Sequence, residues 1–488
     1  MTRESRLFAQ LGLGSVLLSL ALEACAVGPN YKPPVTQLAP FHNRAPVSMA
    51  AAPSLDRWWT GFNDPMLLTI VQRALDQNLD LAAALARVQQ ARAAASGAGA
   101  QLLPTADLGA SATYEHASLN SELGTVSQGS PGFKRDFREY TLGPSASWEI
   151  DLFGGLRRGA AAASAEAQAA QADGAGTRVT VAADAADAYL QVRGYQARLA
   201  VAQDQVSTDE HLLQLVKGRY AAGAADGRET AQAEALLKQA RASIPLLRVG
   251  LEQQLNRLDV LMGAQPGTYA QELGVVRDVP SVPAIPGDQA PVDVLRRRPD
   301  IIAAERRLAA SNERIGVAIS EYYPKVSLAG ALGVDSVSAS HLFTGNAFQA
   351  AGGPSLRWRL FDFGKIDAEV KQTRGANGES LALYRQAVLH AAEDVENALM
   401  ALTQTQARVG EVQGQVEALT KARDLSQRAY VSGSIPLTDV LDADRELLTA
   451  RDVLDANRAD AARAAVAVFR AFGGGWTPPE PKVAALKP

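Results

Sequence analysis

The sequence predicts a mainly helical protein built twice from one plan: a helix, two strands, a very long helix and a returning helix. Three observations predict it. Segments recur along the chain at constant offsets. Two helical runs of roughly sixty residues contain no proline. Four strands with period-two alternation, each about ten residues long, follow an apparent export signal.

The duplication is the strongest of these. "WEIDLFGGLRRG" begins at Trp148 and "WRLFDFGKIDAE" begins at Trp358, 210 residues later. The same offset relates Phe153 to Phe363, Gly154 to Gly364, Tyr220 to Tyr430 and Gly223 to Gly433. Upstream the offset is 220, relating Asp80 to Asp300, Arg87 to Arg307, Pro104 to Pro324 and Leu108 to Leu328. The register changes once, between Leu108 and Trp148, where the first copy carries about ten extra residues in a loop.

The elements follow in order. Residues 1–24 read as a lipoprotein signal peptide, with Arg3 and Arg6 ahead of the apolar run Leu7–Leu22. "LEAC" then ends on Cys25, the only cysteine, in a lipobox-like setting that marks it for lipidation. Residues 25–62 form the lipidated N-terminal segment. Repeat 1 spans 63–263: a helix starting at Asp64-Pro65 and running from Met66 to about Gly97, strands at about 105–116 and 139–152, a long helix from about Leu156 to Lys217, and a return helix. A proline-rich segment, 264–290, links the copies. Repeat 2 spans 291–473, with strands at about 325–336 and 348–361, a long helix from Lys365 to Val431 and a return helix. Residues 474–488 are a tail.

Each strand has one apolar and one polar face. Ala106, Leu108, Ala110 and Tyr114 oppose Asp107, Gly109 and Ser111; Leu142, Trp148 and Ile150 oppose Thr141, Glu149 and Asp151. Such alternation also builds soluble sheets with one wet face. Export, strand length, and Trp148, Trp358 and Tyr140 as an interfacial aromatic girdle favour a membrane face. Glu149 and Asp151 then share the lumen with Arg357 and Arg359. Four strands cannot close a barrel, and an open edge in lipid leaves backbone groups unsatisfied. Several chains must therefore share one barrel. The long helices, at 1.5 Å per residue, would each reach roughly 90–100 Å, too long to bury themselves in a globule and suited to coiled packing.

Composition excludes other classes. The net charge of −4 gives no basic footprint for nucleic acid. Five scattered histidines and one cysteine form no metal-ligand or catalytic pattern. "FGGLRRG" lacks the lysine of a phosphate loop and recurs as "FGKIDAE", a strand-to-helix joint. The chain reads as a non-enzyme.

The stretches "CAVGPNYKPP", "WWTGFNDPMLLTIVQRALDQNLDL", "RRRPDIIAAERRLAASNERIGVAISEYYPKVSL", "LRWRLFDFGK" and "YVSGSIPLTDVLDADREL" together resemble the TolC-like outer-membrane factors of tripartite efflux systems, in the OprM- or NodT-like lipoprotein branch. The resemblance implies a homotrimer whose twelve strands form one outer-membrane β-barrel, continued by a periplasmic α-helical barrel around whose middle 264–290 joins the ends 38–62 and 474–488. It implies a passive exit duct for drugs and small toxic molecules. Its partners would be a periplasmic adaptor, an inner-membrane RND-type pump and outer-membrane lipid, with no cofactor beyond the lipid on Cys25. The same fold could serve protein secretion instead, or the chain could be a periplasmic scaffold lipoprotein with no pore. Counting from Gly433, the resemblance places an acidic periplasmic aperture at Asp442, with Thr438 one turn earlier and Asp439 and Asp444 as neighbours. It also makes the two tips, carrying Tyr220, Gly223, Tyr430 and Gly433, the adaptor-docking surface.

Overall fold

The computed structural model describes residues 26–35, 39–43, 52–127, 134–286 and 291–477. The signal peptide, Cys25 and the end of the tail lie outside them. The helices are α1 Pro65–Gln77, α2 Leu79–Ala100, α3 Glu122–Ser127, α4 Gly155–Ala221, α5 Gly227–Leu261, α6 Ala270–Leu273, α7 Pro291–Arg297, α8 Pro299–Ser320, α9 Lys365–Val431 and α10 Leu437–Ala471. The strands are β1 Thr105–His116, β2 Asp136–Ile150, β3 Lys325–Ser336 and β4 Phe348–Arg357. No described helix is long and apolar enough to cross a membrane.

The chain divides into two compact units that cut across both repeats. The first comprises the described part of Met1–Pro34 with Gln89–Ala169 and Glu305–Leu383. It holds one antiparallel sheet in the order β1-β2-β3-β4. Within the repeats the registers are identical after the sequence offsets. Thr105 opposes Ser147 in β1–β2, and Lys325 opposes Arg357 in β3–β4. Between repeats, Trp148 opposes Leu328 and Ile150 opposes Val326. One face of the sheet is therefore a continuous apolar surface; Leu108 is 74% exposed and Leu356 66%. On the other face hydroxyls pair across strands, as in Ser111–Thr141 at 2.7 Å.

Three strand bounds differ from the sequence reading: the second strand begins at Asp136 rather than 139, and two strands end early. The second strand stops at Ile150 rather than 152, and the fourth at Arg357 rather than 361. A helix cap follows each. Asp151 accepts from the backbone N–H groups of Leu156 and Arg157, and Asp362 accepts from Gly364 and Ile366. Each carboxylate satisfies orphan donors of the following long helix; β2 runs to the residue before its cap, whereas β4 ends at Arg357, opposite Lys325, the first residue of β3.

The second unit comprises Val35–Val88, Ala170–Ala304 and Tyr384–Pro488, as far as described. Here the expected single helix from Met66 is broken. Asp64 caps α1 through Met66 N and Leu67 N, with Pro65 in the first turn. Asn78 then leaves the helical region, its Oδ1 accepts from Leu81 N, and its Nδ2 donates to the Leu261 carbonyl. A side chain that can cap the next helix competes with continuing the first. The core gathers Trp58, Trp59 and Phe62 with Tyr189, Leu258 and Phe469, and Trp58 stacks on Phe469 at 5.3 Å. Phe41, Val279 and Val282 pack against it, while Gly475 N donates to the Leu55 carbonyl. The long helices α4 and α9 are each 67 residues, and α5 and α10 are each 35.

Candidate functional site

The wall comes first. Trp148 and Trp358 both face outward, and each ring N–H donates to a backbone carbonyl of its own repeat: Trp148 Nε1 to Leu102 at 2.9 Å, Trp358 Nε1 to Tyr322 at 3.0 Å. Residues 102 and 322 differ by the offset of 220, so the latch itself is duplicated. Each indole has an apolar body exposed and its polar edge satisfied, as an interfacial tryptophan requires.

The four charged residues assigned to the lumen do not pair with one another. Glu149 lies on the polar face of β2. Asp151 is a helix cap whose carboxylate also meets Arg157 Nε at 3.1 Å. Arg359 lies beyond the strand and pairs with Glu321 at 3.2 Å. Arg357 is the last residue of β4, opposite Lys325. Asp151 is thus spent on starting α4, because an N-terminal turn offers donors closer than any lumen arginine.

Next to the sheet, the segment after Cys25 is strapped down. Val27 N donates to the Phe153 carbonyl at 3.1 Å. Buried Arg158 donates to the Gly28 and Pro29 carbonyls and to Asn30 Oδ1, and pairs with Glu313 at 2.7 Å. Tyr31 Oη donates to Glu305 at 2.6 Å. Gly28 has φ +97°, and a Cβ there would lie 2.6 Å from the Gly316 Cα. Only glycine fits both demands. Sequence reasoning missed Arg158; the arginine pair Arg157-Arg158 was its only trace.

The tips are the third feature. Helix α4 ends in a Schellman turn, with Gly223 N donating to the Tyr220 carbonyl and Ala224 N to Arg219. Helix α9 repeats it through Gly433 and Ser434. Tyr220 is exposed, but Tyr430 is only 2% exposed and cannot form a docking surface. Its Oη donates to Glu229 Oε2 at 2.9 Å, and the Arg219 guanidinium lies 4.5 Å over its ring while bonding its carbonyl. Burial, then the bond to Glu229, pushes the Tyr430 phenol up to about 12. Tyr430 therefore ties the two tips together from inside. The repeat breaks here: Ala429 stands where the first copy has Arg219, and Asp439 where it has Glu229.

Thr438, Asp439 and Asp442 all lie on the exposed face of α10. Asp442 meets Arg445 at 3.5 Å. Asp444 faces inward instead, 2% exposed, and accepts from Arg423 Nε at 2.8 Å. Beside it lies Asp209, 1% exposed, which accepts from Gln205 Nε2 at 2.8 Å. Each acid keeps a second buried oxygen without a hydrogen-bond partner among the described residues. Burial, with the Asp444 charge adding to it, pushes the Asp209 carboxyl up to about 6. The described residues contain no cluster of three or more side chains suited to a metal ion.

An apolar sheet face, two 67-residue helices and twin tips are the features to be accounted for, and comparison with known proteins does so. The outer membrane efflux protein family matches residues 70–264 and 290–474. The chain belongs to that family. It is 30% identical to nodulation protein T of Rhizobium leguminosarum bv. trifolii, over 94% of this chain and 96% of the relative. It is 32% identical to the pyoverdine export outer membrane protein OpmQ of Pseudomonas aeruginosa, over 87% and 88%. Among solved structures, the outer-membrane channel OprN superposes with a TM-score of 0.83 at 33% identity, covering 93% of this chain and all of that one. The open-state MtrE channel of Neisseria gonorrhoeae gives 0.79 at 27%, covering 93% and 99%. This outer membrane efflux protein is thus an outer-membrane channel component with a periplasmic extension, and its sheet and helices belong to a β-barrel and an α-helical barrel.

Proposed function

We propose that three copies of this outer membrane efflux protein form a passive exit duct for drugs and other small toxic molecules. It is driven by an inner-membrane pump of the RND type and opened through a periplasmic adaptor. The observation that carries the trimer is the four-stranded sheet with an exposed apolar face and an unpaired edge on β1 and on β4. In lipid such edges must find partners, and twelve strands close a barrel where four cannot.

Lipid on Cys25 anchors the chain to the inner leaflet. The strap supports this reading, because Val27 is bonded at the strand-to-helix joint that follows Trp148. An adaptor docks on the tips through Tyr220, Gly223 and Gly433. A Cβ at either glycine would meet nothing within 4 Å, so the turn surface is open to a partner. Asp442, flanked by Asp439 and Thr438, narrows the pore, and three converging carboxylates repel one another unless cations or Arg445 offset them.

Purified protein in planar bilayers tests the reading. It is expected to run as a heat-modifiable trimer and to conduct ions, and Asp442→Ala is expected to raise the conductance. A monomer that never conducts would refute the duct. A deletion strain regaining drug resistance from the wild-type chain would support the substrate class; unchanged susceptibility would refute it.

A further inference from the structure

The internal duplication, carried through the strand registers, specifies how one copy joins the next. The β1–β2 register reappears in β3–β4 residue for residue, after shifts of 220 on the first strand and 210 on the second. The sheet therefore keeps the repeat's geometry without a slip. The β2–β3 pairing is the contact from repeat 1 to repeat 2. Its counterpart is a contact from repeat 2 of one copy to repeat 1 of another.

We infer that β4 of one copy, extended past Arg357 as β2 extends past Ser147 on its β3 side, pairs antiparallel with β1 of the next in the register that sets Trp358 against Leu108, Ser355 against Ser111 and Arg359 against Asp107. These pairs are the images of Trp148–Leu328, Ser145–Ala331 and Glu149–Ser327 within the chain. The inference rests on the shared barrel proposed above and adds its closing register.

Three observations outside the symmetry agree with it. The apolar faces meet apolar: Trp358 and Leu108, both exposed in the single chain, come together as Trp148 and Leu328 already do. The charges are complementary: Arg359, which meets Glu321 through one guanidinium nitrogen in the single chain, comes opposite Asp107, where the equivalent pair within the chain carries only one charge. The helices flanking the sheet can approach. Within the chain this seam holds Arg158–Glu313 and Arg314–Glu166 ion pairs. The same operation turns them into Ala368 against Ala93 and Ala376 against Ala94, all four exposed and small. A slip of one residue would turn every side chain to the opposite face, putting Trp358 in the lumen. A slip of two would keep the faces but separate Arg359 from Asp107.

The experiment is disulfide mapping in the full chain reconstituted in outer-membrane lipid. Directly opposed antiparallel residues have Cα atoms about 4.5–5.5 Å apart, within disulfide reach; a neighbour two residues along lies roughly 7 Å or more away. Ser111→Cys with Ser355→Cys is expected to give covalent dimers and trimers on oxidation. Ser355→Cys with Gly109→Cys or Thr113→Cys is expected to give several-fold less, and the parent chain with Cys25 alone none. Preferential cross-linking of either slipped pair overturns the register. So does an uncross-linked Ser111→Cys/Ser355→Cys protein that is trimeric by size in mild detergent; in that case the trimer stands and only the register fails. A folded monomer giving no cross-link removes both.

Discussion

Asp209 offers the sharpest test of the tip. Its surroundings are Gln205 on its own helix α4, Asp444 on α10 and Arg423 on α9. Two acids thus share one arginine in a buried space. With both ionised, each leaves an oxygen desolvated and unbonded, which is costly. The native state therefore holds a proton on Asp209 more tightly than an opened tip does, with the carboxyl moved from 3.8 to about 6. At about 1.4 kcal/mol per unit, this is worth roughly 3 kcal/mol in all. The sign follows from linkage: the stabilisation is complete below about pH 4, declines as pH rises, and is gone above about pH 6. Between pH 7.5 and 5 the tip should gain about 1.4 kcal/mol, a roughly tenfold lower population of the opened tip. Asp209→Asn imitates the protonated acid. It should protect the tip at pH 7.5 beyond wild type, by about 1–3 kcal/mol, and flatten the pH dependence. Hydrogen exchange of peptides covering 205–217 and 437–450, corrected for the intrinsic pH effect, measures this. Wild-type protection that is equal at pH 5 and 7.5, or an Asn variant less protected at pH 7.5, would refute the reasoning.

Other outcomes follow from the same geometry. Tyr430→Phe and Glu229→Ala each remove the bond between tips, worth about 1.5–3 kcal/mol when one partner is charged; both should raise bilayer conductance, and the double variant should add little more. Gly28→Ala puts a methyl against Gly316 at a left-handed φ, so the strap should detach. Limited proteolysis near residues 26–34 should accelerate severalfold while tip exchange stays unchanged.

Much of the architecture was legible because it rests on periodicity and repetition. Strand faces follow from alternation, the long helices from the absence of proline, and the Schellman turns from Gly223 and Gly433. The missed features depend on side chains that meet only after folding. Asn78 breaks the first helix because Leu261, far along the chain, accepts from its amide. Asp151 looked like a lumen charge because its position on the strand said so, while the cap it makes depends on donors five and six residues ahead. Tyr220 and Tyr430 are matched by the repeat yet differ in exposure, because Arg219 and Glu229 enclose only the second.

That contrast also explains where specificity can reside in a duplicated chain. Positions that keep the repeat, such as the tryptophan latches and strand registers, serve a wall that must be uniform around an axis. Positions that break it distinguish neighbouring tips: Arg219 against Ala429, Glu229 against Asp439. Tyr430 of the second tip is locked inside by Arg219 and Glu229 of the first, while Tyr220 stays exposed. The first tip presents a free aromatic to whatever docks. Swapping Arg219 and Ala429 between the copies should therefore invert the protection of the two tips in hydrogen exchange. Equal protection of both tips before the swap would mean that the asymmetry of the side chains has no energetic consequence.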